Sequence, residues 1–173
     1  MYRAITLEED LALKQVIADR RQKSDPSSRH SWRESLSTEY RAPIPEIIVT
    51  RGSREQEFSL ADVADTIGEA LTDLLLSRSE AEDTIFSDEN RGFVSAVAFN
   101  VAQSLMDQVR RGGQLKLSQN DLFLLIEKAL IENDAHDVAK AVVFNRSFDR
   151  NGEIVVSEDC LLYTSPSPRD LLS

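Results

Sequence analysis

A short strand–turn–strand pattern runs directly into a capped helix, and this junction constrains the fold more than any other part of the sequence. Residues 46–50 form a β-branched run, Arg51-Gly52-Ser53 has the composition of a turn, and residues 55–58 return as a second strand. Ser59 follows at once as a helix N-cap, with the carboxylate of Asp62 at the third helical position. The sequence therefore predicts a small β-hairpin that leads into a helical domain.

Four helices are predicted after the hairpin. Apolar residues recur at helical spacing in three segments, and a fourth helix follows an Asn-Asp turn; the segments are Val63–Leu75, Val94–Val109, Leu122–Leu130 and about Ala135–Phe148. Ser118 is predicted to cap the third helix, and the polar stretch Ser77–Asn90 is predicted to be a loop. The predicted fold class is α+β, mostly α, with a small β-hairpin packed on a four-helix bundle over residues 46–148.

Charge divides the chain near Pro43 and Pro45, which favour an extended linker. Residues 1–45 have a net charge of +1, whereas residues 46–159 carry 11 basic and 22 acidic residues. The segment before the prolines contains a capping-box pattern at Thr6–Glu9 that predicts a helix to about Arg21. We therefore expect residues 1–45 to be an N-terminal helix and linker, with Trp32 and Tyr40 as candidates to anchor it.

Composition excludes several classes of protein. The chain has 173 residues, with 20 Lys+Arg against 30 Asp+Glu, so it lacks the basic surface of a general nucleic-acid binder. Its apolar runs are too short to span a bilayer, and it has no signal-peptide pattern, so we expect a cytoplasmic location without membrane contact. One cysteine and two histidines give little basis for a zinc site, and no phosphate-loop, nucleophile-elbow or Ser/His/Asp catalytic pattern is present.

The last segment, residues 160–173, begins with a run that resembles the translated sequence of an adapter used in preparing DNA libraries. We expect this tail to be non-native, which would make Cys160 non-native too and residues 1–159 the start of a longer protein. Residues 149–159 are then the start of the next segment. Their Arg150-Asn-Gly sequence fits either the opening hairpin of a second domain like residues 46–148 or a plain Asn-Gly hairpin turn.

The order of hairpin, capped helix and three further helices resembles the ATP-cone family, a nucleotide-binding regulatory module at the N-terminus of ribonucleotide reductase large subunits. The resemblance is strongest in residues 117–130 and 137–146. The first stretch contains a match to the family's "V/I-E-x-x-L" core, and the second is similar to its final "A-K-A-Y-x-x-Y-R" run. Residues 49–58 resemble its opening strand–turn–strand, so the resemblance covers about residues 46–147.

The resemblance implies a nucleotide site between the hairpin and the helices, with ATP or dATP as the allosteric effector and no metal. The candidate nucleotide-binding residues are Val49, Thr50, Arg51, Arg54, Lys140 and Arg146. Thr50 stands where the family has a lysine, and Asp62 occupies a further basic position of the family pattern. Because phosphates are bound by cations, backbone amides or helix N-termini, these departures leave a second interpretation open. In that interpretation the chain is a degenerate ATP cone that binds no nucleotide and acts as a protein-interaction module.

The function implied is that of an N-terminal regulatory domain of a truncated ribonucleoside-diphosphate reductase large subunit, which supports deoxyribonucleotide synthesis for DNA replication. The implied partners are the catalytic domain of the same chain and the reductase small subunit, with a homo-oligomer as a further possibility. A zinc-ribbon repressor that carries a cone is disfavoured because no cysteine lies upstream.

Overall fold

The structure is a computed structural model that describes residues 6–22 and 31–147. In chain order its elements are α1 (Leu7–Gln22), β1 (Ile44–Arg51), β2 (Arg54–Phe58), α2 (Leu60–Ser77), α3 (Glu82–Ile85), α4 (Asp88–Gly112), β3 (Leu115–Ser118), α5 (Gln119–Glu132) and α6 (His136–Arg146). Two 3₁₀ turns, Trp32–Ser35 and Thr38–Tyr40, lie between α1 and β1. The predicted fold class, α+β and mostly α, is confirmed.

The strands form a three-stranded sheet in the order β2-β1-β3. The predicted hairpin is present: β1 and β2 are antiparallel, and Arg51 pairs with Arg54 across the turn. Gly52 adopts φ +61° in that turn, a left-handed conformation that favours glycine. The sequence analysis did not predict β3, which pairs in parallel with β1 from Ile47 opposite Leu115 to Thr50 opposite Ser118.

Serine caps set the starts of three helices. The Ser59 hydroxyl accepts a hydrogen bond from the Asp62 amide at the start of α2, and the Ser118 hydroxyl accepts one from the Asp121 amide at the start of α5, as predicted. Ser87 caps α4 in the same way. The prediction of a loop through Asn90 was therefore wrong in part, because α3 lies inside that stretch and α4 begins at Asp88.

The centre of the core is α2, which packs against α1, α4 and α6. Most of the surface of α2 is buried, because apolar residues recur around more than one face of the helix. The buried apolar residues are Leu60, Ala61, Val63, Ala64, Ile67, Ala70, Leu71 and Leu74. The burial of so many side chains is the main stabilising contribution, at about 25 cal/mol per Å² of apolar surface removed from water.

Trp32 anchors the segment before the hairpin on α2. Its side chain is fully buried, its Nε1 donates a hydrogen bond of 3.0 Å to the Thr72 hydroxyl, and its ring lies 5.0 Å from that of Phe86. The indole also lies directly on Gly68, where an added Cβ would be 1.9 Å from Cγ of Trp32. Tyr40 packs edge-on against the Phe99 ring at 4.9 Å.

Helix α1 packs against α2 and α6. It buries Leu13 and Ile17, while Leu7 and Leu11 are exposed. In the part of the chain that the structure describes, no helix combines the length and the hydropathy needed to span a bilayer. The predictions for residues 149–159 and for the tail at 160–173 fall outside the described residues.

Candidate functional site

A cavity of about 570 Å³ opens where five elements meet: the end of α1, the end of β1, the middle of α2, the first turns of α5 and the last turns of α6. Three arginines line it, namely Arg21 in the last turn of α1, Arg51 at the end of β1 and Arg146 at the end of α6. We call this cavity the arginine cleft. The hairpin holds Arg51 at the cleft mouth, because the turn begins immediately after it.

Arg146 is the most deeply placed of the three cations, with a side chain that is 10% exposed. Its Nη1 donates a 2.7 Å hydrogen bond to the side-chain oxygen of Asn120, and its Nε lies 3.0 Å from a carboxylate oxygen of Glu127. The guanidinium also lies 5.3 Å from the centre of the Phe123 ring. These contacts fix the guanidinium, while its Nη2 has no hydrogen-bond partner among the described residues. The wall of the cleft therefore contains a guanidinium held in a fixed position.

Glu127 gives Arg146 a structural role as well. Its carboxylate is fully buried on α5, and loss of the arginine would leave that charge in the interior without this ion pair. Removal of one partner of such a pair is strongly destabilising, so substitution of Arg146 tests binding and folding together.

Arg51 has the opposite character. Its side chain is exposed and makes no hydrogen bond or ion pair with the described residues. An exposed side chain of this kind contributes little to stability and can turn towards an anion in the cleft.

The N-terminal turn of α5 forms another side of the cleft. Gln119 and Asn120, its first two residues, line the cavity. The first backbone N–H groups of a helix lack intrahelical acceptors, and the helix dipole places partial positive charge there. Ser118 satisfies the amide of Asp121, and the first turn of α5 faces the cleft through Gln119 and Asn120, as in helix N-termini that bind anions.

Two carboxylates, Asp65 and Glu69 of α2, also line the cleft. Each is engaged by an arginine outside the cavity lining: Asp65 by Arg33 at 2.8 Å and Glu69 by Arg20 at 2.5 Å. The hydrogen bond to Asp65 raises the pKa of Arg33. Arg33 is shared with Asp62 and Arg20 with Asp73, and Arg146 faces Glu127, so arginines and carboxylates around the cavity are closely balanced. Arg51 is a cleft cation that makes no ion pair with the described residues.

Arg20 also pairs with Asp73, a buried carboxylate beside the cleft. Burial raises the pKa of Asp73, and the charge of Arg20 and a hydrogen bond from Asn145 offset this only in part. For Arg20, burial acts to lower the pKa, but the charges of Asp73 and Glu69 outweigh it and the pKa is raised. This network fixes the end of α1 to α2 and α6 at the rim of the cleft.

The structure brings together two of the six residues suggested by the resemblance, Arg51 and Arg146. Val49 is buried in the core, and the Thr50 hydroxyl donates to the Leu117 carbonyl at 3.5 Å, so neither lines the cleft. Arg54 is exposed on β2, outside the lining, and Lys140 pairs with Asp10 of α1 at 2.9 Å.

Sequence reasoning missed Arg21, Asn120 and Phe123 as cleft residues. The predicted Ser118 cap was a usable signal for Asn120, because a capped helix start is a recurrent anion site. No local signal marks Arg21, whose hydrogen-bond partner Asn145 is 124 residues away in sequence.

A second cavity, of about 800 Å³, lies between α4, β3 and α5. Its walls are mainly aliphatic and include Leu115, Leu117, Leu124, Leu125 and Ile131. We call it the apolar groove. Lys116, Asp121, Lys128 and Glu132 also line it, but its surface is mainly aliphatic, so its chemistry differs from that of the arginine cleft.

Among residues 6–22 and 31–147, no group of three or more His, Cys, Asp or Glu side chains is arranged to hold a metal ion. Comparison of the chain with protein-family models, with curated proteins and with solved structures gave no match.

Proposed function

We propose that the domain formed by the hairpin and helices binds ATP or dATP in the arginine cleft and is a regulatory nucleotide-binding domain. The observation that carries the proposal is the shared cavity of Arg51, Arg146 and the first turn of α5. Guanidinium groups and helix N-termini are the groups that proteins use to bind phosphate. The ATP-cone resemblance suggested both arginines, and their common position supports that assignment.

The two chemical halves of a nucleotide fit different parts of the cleft. The phosphates would lie between Arg51, Arg146 and the first turn of α5, because guanidinium groups and helix N-termini donate to phosphate oxygens. Phe123 and Val142 supply apolar surface for the base or the ribose. A cavity of about 570 Å³ lies in the size range of small-molecule sites.

The regulatory role follows from the resemblance. In this proposal the chain is the N-terminal part of a ribonucleoside-diphosphate reductase large subunit in the cytoplasm. Nucleotide in the cleft would change how the domain contacts the catalytic domain of the same chain and the small subunit. Such an effector acts by binding one assembly state more tightly than another.

The apolar groove and the departures at Thr50 and Asp62 favour a second candidate, a nucleotide-free interaction module. Asp62 pairs with Arg33 at 2.8 Å and therefore supplies no cation to the cleft. The apolar groove has the aliphatic lining of a surface that binds a partner protein. In this case the domain would associate with other subunits independently of nucleotide.

Calorimetric titration of the full chain with ATP and dATP tests the first proposal. We expect saturable binding that Arg51→Ala weakens about tenfold, since a hydrogen bond to a charged group contributes about 1.5–3 kcal/mol. Arg54→Ala is the matched control, because Arg54 is also exposed on the hairpin but lies outside the cleft lining.

Two outcomes would contradict the proposal. Absence of heat at millimolar nucleotide, with a folded chain, would leave the interaction module as the better account. Equal loss of affinity in Arg51→Ala and Arg54→Ala would show general charge attraction instead of a cleft site. Nucleotide-induced oligomerisation in light scattering would argue against the interaction module.

A further inference from the structure

The last turn of α1 places a cation in the arginine cleft from outside the hairpin and helix domain. Arg21 lines the cavity, and its Nη2 donates to the Asn145 carbonyl at 3.2 Å and to the Asn145 side-chain oxygen at 2.6 Å. Asn145 precedes Arg146 on α6 and lines the same cavity. Arg21 is therefore held beside the residue that the proposed function assigns to the phosphates.

We propose, as an extension of that function, that Arg21 binds the nucleotide phosphates and that nucleotide binding therefore tightens the docking of α1. The sequence pattern lacks two family cations, at Thr50 and Asp62, and Arg21 supplies positive charge at the same cleft from a different element. A guanidinium presents five N–H donors in a fork, so Arg21 can donate to Asn145 and to a phosphate oxygen at the same time.

The way in which α1 is held makes this coupling effective. Only Leu13 and Ile17 of α1 are buried, so its apolar contact with the domain is small. Ion pairs supply much of the remaining attachment: Glu9 with Arg78 at 3.3 Å, Asp10 with Lys140 at 2.9 Å, and Arg20 with Glu69 and Asp73. The pairs of Glu9 and Asp10 are partly exposed, so each contributes little and is sensitive to salt, whereas Arg20 pairs with the buried carboxylate of Asp73 and is the firmer contact.

A phosphate bound by Arg21, Arg51 and Arg146 would connect α1, the hairpin and α6. Because coupling between two equilibria is reciprocal, a ligand that binds better when α1 is docked must also favour the docked state. Release of α1 would lower nucleotide affinity in return. The N-terminal helix is thus a second route by which the parent protein can regulate the site.

The test compares the full chain with Arg21→Ala and Arg21→Lys in titrations with ATP and with AMP. We expect Arg21→Ala to weaken ATP about tenfold and AMP less than threefold, since the lost contact is to the outer phosphates. Arg21→Lys, which keeps the charge, should recover part of the ATP affinity. A purely structural role for Arg21 would weaken both nucleotides equally.

Hydrogen exchange at the amides of residues 13–17 gives a second readout. Saturating ATP should slow exchange there several-fold in the unaltered chain, and to a smaller extent in Arg21→Ala at its own saturating ATP concentration. ATP affinity unchanged by Arg21→Ala, with Arg51→Ala weakened, would overturn this inference and leave the proposed function standing. Absence of ATP binding to the unaltered chain would overturn both.

Discussion

The two flanks of α2 differ in how completely they are filled. On one flank Gly68 and Thr72 are covered by Trp32, which leaves no space at the glycine. On the adjacent flank Thr66 and Glu69 face the arginine cleft. Both flanks are covered by residues that precede the hairpin, since Trp32 packs on one and α1 borders the other. The N-terminal segment therefore completes the core on one flank of α2 and borders an open, charged cavity on the other.

Gly68→Ala should give the largest effect, because it inserts a methyl group into the filled flank. The indole of Trp32 would have to move, and we expect a loss of about 3 kcal/mol in the free energy of unfolding. Urea denaturation monitored by Trp32 fluorescence measures this loss.

Gly92→Ala in α4 is the matched control, since nothing lies within 4 Å of an added Cβ there. It should be neutral or slightly stabilising. Comparable losses in both variants would mean that the filled flank is not tightly packed.

A threonine lies on each flank of α2, so the same change, threonine to valine, compares the two flanks directly. Thr72→Val removes the acceptor of the Trp32 Nε1 and leaves a buried donor unpaired, so we expect a loss of about 2 kcal/mol. Thr66→Val changes a half-buried residue at the cleft, and its effect should stay within about 0.5 kcal/mol. Denaturant unfolding of both variants checks the difference. Similar losses at both positions would break the distinction between the flanks.

The smallest expected effect is a pH dependence from Asp73. Burial raises the pKa of this carboxyl in the folded state, so the folded chain holds its proton to higher pH than the unfolded chain. The stability that this proton contributes is therefore fully present below the pKa of Asp73 in the unfolded chain. It is lost as the pH rises through the pKa of Asp73 in the folded chain. Relative to Asp73→Asn, the unaltered chain should gain stability as the pH falls from 7 towards 4. Denaturation midpoints of the two chains across that range measure the difference in stability. A difference that becomes smaller on acidification would contradict the raised pKa of Asp73 in the folded state.

The sequence was sufficient for features whose signals are local. The hairpin, the Ser59 cap and the Ser118 cap each depend on residues within a few positions of one another. The start of α4 also had a local signal, because Ser87 is followed by Asp88 and Glu89 in the first turn, but the many polar residues there were interpreted as a loop.

Features that depend on distant pairings were not predictable. Leu115–Ser118 is a strand because β1, more than 60 residues earlier, lies beside it. Four residues are too few to show a period. The contact of Trp32 with Gly68 and that of Arg21 with Asn145 likewise appear only once α2 and α6 are packed. Lys140 was a reasonable candidate in a closing helix, but Asp10 of α1 provides its ion-pair partner.

The most direct test of the central claim is a ¹H–¹⁵N NMR titration of the full chain with ATP. If the arginine cleft is the site, the largest shifts should saturate at the amides of Arg51, Gln119 and Asn120 and should be smaller in Arg51→Ala. Absence of any shift at millimolar ATP, or shifts confined to the apolar groove around Leu124 and Leu125, would contradict it.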